Sequence, residues 1–184
     1  MTLIKSISGI RGTIGGGAGE NLTPMDAVKF AAGYGAWLKK RNGQCTVVIG
    51  RDARPSGQMI ENFVISTLQG LGINVINTGL STTPTVEMLV PKYNAQGGII
   101  LTASHNPKQW NALKLLNEKG EFVSGADGAE ILALAESDEI TFAEVDDLGK
   151  IIEDQDGMSW HIDQILALDL VDASLVATKK FHVV

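Results

Sequence analysis

Residues 45–77, CTVVIGRDARPSGQMIENFVISTLQGLGINVIN, contain a strand, a loop, a helix and a second strand in succession. The run 45–50 is short and apolar, as is typical of a strand buried on both faces. Apolar residues at helical spacing predict a helix over 57–71, with Ile60, Val64, Thr67 and Leu71 along one face. The apolar run 73–77 then predicts the next strand. Such a strand–helix–strand unit is the building block of a parallel sheet.

The rest of the chain continues this alternation of strands and helices. Further strands are predicted at 3–8, 97–101 and 112–117, and further helices at 24–41, from Thr83-Pro84, and near 126–137. Repeated alternation predicts an α/β fold, a three-layer α/β/α sandwich with a mixed, mostly parallel sheet. The glycine-rich segment 9–21 is predicted to be a loop, 138–157 a connector, 158–177 a helix, and 179–184 the start of a buried strand.

Composition and charge limit the class of protein. The chain has 184 residues, 44% hydrophobic and 20% charged, which is globular composition. No apolar run is long enough to span a bilayer and residues 1–12 contain no secretory apolar stretch, so we expect no membrane partner. The lone cysteine, which can form no internal disulfide, leads us to expect a reducing, cytoplasmic setting. The single cysteine, Cys45, is predicted to be a small core residue. Residues 1–120 are basic and 121–184 strongly acidic, which argues against a nucleic-acid surface over the whole chain.

Polar loops follow several predicted strands. In open α/β sheets, ligands bind at the carboxyl ends of the strands, so these loops are expected to converge on one edge. They are 8–12, 50–57, 80–84 and 102–111. The first contains Arg11 between glycines, and the second contains Arg51 and Arg54 around Asp52. An arginine fork can bind phosphate in two places. The alternative is a structural Arg–Asp pair, which is the stronger interpretation for Arg51.

The segment 102–114, TASHNPKQWNALK, contains the most specific chemical candidate. Ser104 lies beside His105, but the G-x-S-x-G elbow of a hydrolase is absent. Adjacent side chains also point in different directions, so His105 need not be the base for Ser104. Asn106-Pro107 is a strong turn former, and an ordinary turn therefore stays an alternative. A dinucleotide-binding G-x-G-x-x-G and a phosphate-binding G-x-x-x-x-G-K-[ST] are both missing.

Four segments in order and spacing resemble the α-D-phosphohexomutases, the phosphoglucomutases, phosphomannomutases and phosphoglucosamine mutases. The resemblance covers about residues 5–180 and rests on TASHNP (102–107) with Asn111 and Lys114 behind it, SGIRG (8–12), GRDARPSG (50–57) and TTPT (82–85). It implies that Ser104 carries a phosphoryl group and passes it to a sugar monophosphate. A bisphosphate intermediate then links the 1-phosphate and the 6-phosphate of a hexose.

The resemblance also implies roles for individual residues. Ser104 is the phosphoserine, and its phosphoryl oxygen is one ligand of Mg²⁺. Lys114 and Arg11 match the general acid/base pair, and His105 is expected to shape the serine loop and to bind substrate. Ser8, Asn106, Asn111 and Arg54 are expected to bind substrate or phosphate, or to shape the loop. Charge neutralisation by such cations suits phosphoryl transfer.

The sequence also departs from the family pattern. The aspartate-rich D-G-D-G-D-R metal loop is absent and is expected in a second domain, together with the remaining Mg²⁺ ligands. Ser8 stands where many members have aspartate, and Ala112 replaces a frequent glycine. Thr102 at the start of the serine motif favours glucose or mannose phosphate over glucosamine phosphate as the substrate.

The domain prediction follows from this resemblance. Residues 1–157 are expected to be the first phosphohexomutase domain, with 158–184 the linking helix and first strand of a truncated second domain. We expect the full-length protein to be an intramolecular phosphotransferase that acts on a phosphorylated hexose. This chain alone is expected to be inactive. The alternative is a free-standing sugar-phosphate-binding or regulatory module without turnover.

Overall fold

The computed structural model describes residues 1–6, 9–137 and 139–182. Seven strands are present in these ranges: β1 Ile4–Ser6, β2 Gly9–Thr13, β3 Thr46–Arg51, β4 Asn74–Leu80, β5 Gly97–Leu101, β6 Trp110–Leu116 and β7 Ile151–Glu153. Six α-helices accompany them: α1 Pro24–Asn42, α2 Gly57–Gly70, α3 Thr83–Lys92, α4 Gly125–Glu136, α5 Gly157–Leu166 and α6 Ala173–Thr178. A short 3₁₀ helix spans Val145–Asp147.

The strands form one mixed sheet in the order β1-β2-β6-β5-β3-β4-β7. The half made of β5, β3, β4 and β7 is parallel, while β1, β2, β6 and β5 pair antiparallel. Val48 lies in the centre, in register with Gly98 on one side and Ile76 on the other. The predicted α/β class with a mixed sheet is therefore confirmed.

Helices cover both faces of the sheet and make the three layers. On one face, α1, α2 and α4 enclose the larger core, which contains the buried side chains of Trp37, Ile60 and Ile131. On the other face, α3 packs Val86 and Leu89 against a smaller core, with α5 beside it. In the described ranges, no helix combines the length and the apolar character needed to cross a bilayer.

The first helix begins and ends as its sequence predicts. The Thr23 hydroxyl caps the Asp26 amide, and the Asp26 carboxylate accepts the Thr23 amide at 3.0 Å. The same carboxylate accepts the Gly19 amide at 2.9 Å and so fixes the glycine-rich segment to the helix. Gly43, with φ of 73°, ends the helix. Cys45 follows and is buried in the core as predicted, and burial raises the pKa of its thiol to about 11.

The prediction of a loop over 9–21 is wrong at its start, because Gly9–Thr13 is strand β2. The glycines there reflect close packing. A Cβ on Gly9 would lie 2.3 Å from the Leu113 carbonyl oxygen, and one on Gly12 would lie 2.9 Å from the Leu22 amide. Arg11 therefore lies within a strand and not in a loop.

The last quarter of the chain also differs from its prediction. The connector 138–157 contains β7, a three-residue edge strand whose residues are all exposed. The helix predicted over 158–177 is two helices, because Asp172 caps the amide of Leu175 and starts α6 afresh. Residues 179–182 form no strand, and Phe181 is 72% exposed. Val183 and Val184 lie outside the described residues.

Candidate functional site

Three of the loops predicted to converge do meet at one edge of the sheet. They follow β3, β4 and β5, which run parallel, so their carboxyl ends coincide. The Asp52 amide donates to the Leu101 carbonyl at 3.1 Å, and the Ser81 amide donates to the Arg51 carbonyl at 2.9 Å. This edge is where an open α/β sheet binds its ligands.

Ser104 occupies a strained position in the loop after β5. Its φ of 54° lies in the left-handed region, which side chains other than glycine rarely adopt. Its amide donates to the Thr102 hydroxyl at 3.0 Å, and the Asn106 amide donates to the Ala103 carbonyl at 3.0 Å. The Ser104 side chain is exposed. The loop therefore holds the serine in an exposed position on a fixed backbone.

Arg54 holds this loop together with every donor that its guanidinium has. Its Nε donates to Oδ2 of Asp52 at 3.0 Å. Its two terminal nitrogens donate to four backbone carbonyls at 2.7–3.1 Å, those of Ser104, Asn106, Pro107 and Trp110. The Arg54 side chain is only 10% exposed. Of its two predicted roles, the geometry matches loop shaping, because no donor is left for a phosphate.

The Arg–Asp pair expected for Arg51 belongs to Arg54. Arg51 donates instead to the Glu61 carboxylate at 3.0 Å and to the Gln58 amide oxygen at 2.7 Å. Its contact with Asp52 goes only to the backbone carbonyl. Arg51 is therefore an architectural residue that joins the end of β3 to α2.

Asn111 also has a structural environment. Its side chain is fully buried, with its amide donating to the Ser56 hydroxyl at 3.0 Å and its oxygen accepting the Ala112 amide at 2.8 Å. Ser56 immediately precedes α2. Asn111 thus ties the start of β6 to the arginine-containing loop, while Asn106 contributes its backbone to the Arg54 cluster.

Arg11 and Lys114 lie on one face of the sheet. In the β2–β6 pair, Ile10 opposes Leu113 and both face the larger core. Side chains alternate along strands, so Arg11 and Lys114 face away from the larger core. They are diagonal neighbours, a relation in which Cα atoms are about 7–8 Å apart. The Lys114 ammonium lies 5.7 Å from the centre of the Phe122 ring.

Lys114 also acts on a carboxylate of α3. Burial raises the pKa of Glu87, while the positive charge of Lys114 opposes this shift. The described residues include no hydrogen bond from Ser104 to Arg11 or to Lys114. The strand register therefore puts these two cations on the same face of the sheet, without a hydrogen bond to the serine.

Of the remaining predicted residues, His105 and Ser8, the structure describes only His105. His105 is exposed, and no side-chain partner for it is found across 1–6, 9–137 and 139–182. Ser8 lies outside the described residues. Within the same ranges, no three His, Cys, Asp or Glu side chains cluster to hold a metal ion. The described residues alone therefore do not fit a Mg²⁺ site, which needs several oxygen ligands.

Asp52 and Thr102 are joined in the site by a hydrogen bond that the sequence analysis did not predict. The Thr102 hydroxyl donates to Oδ2 of Asp52 at 2.6 Å, and Oδ1 of Asp52 accepts the Arg54 amide at 3.1 Å. An aspartate that bonds the amide two residues ahead is a local turn signal, and Asp52-Ala53-Arg54 contains it. The bond to Thr102 spans 50 residues and left no trace in the sequence pattern.

This fold and loop arrangement defines an α/β/α domain of the phosphoglucomutase and phosphomannomutase type. The family model for the phosphoglucomutase/phosphomannomutase α/β/α domain I matches residues 3–141. The chain belongs to this family, and the predicted resemblance is confirmed.

Individual relatives agree with the family match. The chain is 40% identical over 135 residues to a phosphoglucosamine mutase of Macrococcus caseolyticus, covering 72% of this chain and 29% of the relative. It is 40% identical over 113 residues to a phosphoglucomutase/phosphomannomutase of Thermococcus kodakarensis, which covers 61% of this chain and 24% of the relative. The structure of a putative phosphomannomutase from Thermus thermophilus superposes with a TM-score of 0.75 at 26% identity. The superposition covers 92% of this chain and 37% of that protein. The match thus covers 24–29% of the length of the two curated relatives and 37% of the solved structure.

Proposed function

We propose that this chain is the phosphoserine-bearing domain of a phosphohexomutase, with Ser104 as the residue that stores and passes on the phosphoryl group. The observation that carries this proposal is the serine loop itself. The serine is an exposed residue with a left-handed backbone, and an arginine with all its donors engaged fixes the backbone around it. A turn with no chemical role has no need for a strained serine held by so many bonds.

The proposed step is a phosphoryl transfer. The bond from phosphorus to Oγ of Ser104 breaks while a bond from phosphorus to a sugar hydroxyl oxygen forms. The proton of that hydroxyl ends on Oγ of Ser104, with Lys114 and Arg11 proposed as the acid/base pair. Their positive charges lower the hydroxyl pKa and stabilise the charge on the transferred group. The other phosphoryl group of the bisphosphate is then transferred back to Oγ of Ser104, which completes the isomerisation.

The substrate class is a hexose phosphate, and its finer identity stays a proposal. The relatives named above include both a phosphoglucosamine mutase and a phosphoglucomutase/phosphomannomutase. Glucose or mannose phosphate remains our prediction from Thr102. A Mg²⁺ ion held by the phosphoryl group of Ser104 would need further oxygen ligands from outside the described residues. The cytoplasmic location, the domain boundaries and the absence of nucleic-acid and membrane partners stay predictions.

Ser104→Ala tests the proposal in the whole protein that carries this chain. We expect the unaltered protein to contain one phosphoryl group on Ser104 by intact-mass and peptide analysis. The variant should lack it and lose mutase turnover, while its circular dichroism and melting temperature stay near those of the parent. Ser159→Ala, which removes an exposed hydroxyl from α5, serves as the matched control and should keep both.

Two outcomes would contradict the proposal. One is normal turnover by the Ser104→Ala protein, and the other is a phosphoryl group located on a different residue. A parent protein that binds hexose phosphates without turnover or phosphorylation would instead support the binding-module alternative.

A further inference from the structure

We propose that Asp52 is a positioning residue that, through Thr102 and Arg54, holds Ser104 in its left-handed conformation. This inference rests on the proposed role of Ser104, because it explains how the hydroxyl is presented for phosphoryl transfer. Asp52 itself lies at the start of the loop after β3, separated from the serine by 52 positions in the chain. Its side chain is 30% exposed, so it is largely enclosed by the loops it joins.

Both oxygens of the Asp52 carboxylate are used within this cluster. Oδ2 accepts the Thr102 hydroxyl at 2.6 Å and Nε of Arg54 at 3.0 Å. Oδ1 accepts the Arg54 backbone amide at 3.1 Å. The carboxylate thereby fixes the position of the guanidinium, and it also fixes the direction of the threonine hydroxyl.

Thr102 relays this orientation to the serine. Because its hydroxyl proton goes to Asp52, its oxygen lone pairs are available to the Ser104 amide, which donates to it at 3.0 Å. The Ser104 carbonyl is bound from the other side by Arg54 at 2.7 Å. The peptide groups before and after the Ser104 Cα are thus both held, and both bonds lead back to one carboxylate.

The arrangement has a direct consequence for a phosphorylated serine. Arg54 binds the carbonyls of Ser104, Asn106, Pro107 and Trp110, so the negative ends of these peptide dipoles point at the guanidinium. Carbonyls freed from Arg54 are able to turn outward and repel a phosphoryl dianion. Asp52 therefore keeps the loop both in the strained geometry and in the electrostatic orientation that a phosphoserine needs.

The first experiment measures the Ser104 amide in the isotope-labelled 184-residue chain. Amide hydrogen exchange and backbone scalar couplings report its hydrogen bond and its φ angle. We expect Thr102→Val, which keeps the shape and removes the hydroxyl, to speed Ser104 exchange about tenfold. Thr102→Ser restores the hydroxyl and should restore slow exchange. Equal exchange in the parent and in Thr102→Val would overturn the relay.

The second experiment compares Asp52→Asn with Asp127→Asn. Asp127 is a matched control far from the serine, because it likewise accepts a hydroxyl, that of Ser124 at 2.6 Å, and pairs with an arginine, Arg41 at 2.7 Å. We expect only Asp52→Asn to speed Ser104 exchange. In the whole protein it should lower kcat at least about tenfold with little change in KM, since it alters presentation of the serine and not substrate contacts.

The outcomes separate this inference from the proposed function. If Ser104 is phosphorylated in the parent and the Asp52 and Thr102 variants change neither exchange nor kcat, the positioning role is wrong and the phosphoserine stands. If the variants release the Ser104 amide but no protein is phosphorylated, the positioning role of Asp52 and Thr102 stands and the proposed function fails. Equal effects of Asp127→Asn and Asp52→Asn would also overturn the positioning role.

Discussion

Ser104 shares its left-handed backbone with only two other non-glycine residues in the described part of the chain, Asn94 and Lys180. Asparagine tolerates this conformation because its short polar side chain bonds locally, whereas serine does so less readily. The left-handed region costs roughly 1–2 kcal/mol for a residue with a Cβ. The loop bonds described above must offset that cost, so stability and the presentation of the hydroxyl oppose each other at this position.

This opposition predicts how two serine replacements differ. Ser104→Gly should be more stable than Ser104→Ala by about 1 kcal/mol, because glycine adopts positive φ without strain. Both should lose phosphorylation. Urea unfolding of the 184-residue chain measures the difference. Asn94→Gly against Asn94→Ala is the control, and should give a difference of the same sign without loss of phosphorylation in the whole protein. Equal stability of the two Ser104 variants would show that the residue is unstrained.

At the scale of elements, the crossing of α1 and α4 decides how closely the two helices pack on the larger core. Gly33 lies in the middle of α1, where helix propensity alone favours alanine. A Cβ there would lie 2.6 Å from Cβ of Ala135 and 2.8 Å from the Ile131 carbonyl oxygen. Since part of the obstruction is backbone of α4, it cannot move aside as a flexible side chain would. Gly33 is thus a contact point and not a weak place in the helix.

Gly33→Ala should therefore destabilise the chain by about 1–2 kcal/mol, the cost of overpacking less the gain in propensity. Gly128→Ala, inside α4 with no atom within 4 Å of the added Cβ, should instead stabilise it by about 0.5–1 kcal/mol. Thermal and urea unfolding of both variants give the two signs. A stabilising Gly33→Ala would mean that α1 and α4 lie further apart than described.

At the scale of the whole molecule, the local periodicity of the sequence predicts more of the fold than of the site. Buried apolar runs such as 97–101 and capped helices such as α1 are specified by neighbours in sequence, so their prediction holds. Strand β7 consists of three exposed residues and is identified only by its pairing with β4. Strand β2 needs glycines because the backbone of other segments approaches it closely. In the site, the residue types were predictable, but the contacts of Arg54 and Thr102 join positions about 50 apart. Only the assembled sheet brings those positions together.

The charge asymmetry of the chain also acquires a structural meaning. The acidic second part does not form only a solvated face, because carboxylates of α4 pair with cations of β1 and α1. Glu136 pairs with Lys5 at 2.7 Å and with Lys29. The ammonium group of Lys29, which has the larger effect, and that of Lys5 lower the pKa of Glu136 to about 2. The pairs are partly exposed, so each contributes only about 0.2–1 kcal/mol.

Glu136→Gln tests whether these pairs hold α4 to the basic part of the molecule. The folded-state pKa of Glu136 lies below the ordinary value of 4.5, so its stabilisation is present above pH 4.5 and is lost as the pH falls towards 2. The variant should lose about 1 kcal/mol at neutral pH and show a flatter decline in unfolding free energy between pH 4.5 and 2. Urea unfolding at low salt measures both, and high salt should shrink the difference because it screens exposed charges. Glu144→Gln, at an exposed carboxylate without an ion-pair partner in the described ranges, should keep the parent slope. Parallel slopes for Glu136→Gln and the parent would show that burial of Ile131 and Ala135, and not charge, joins α4 to the domain.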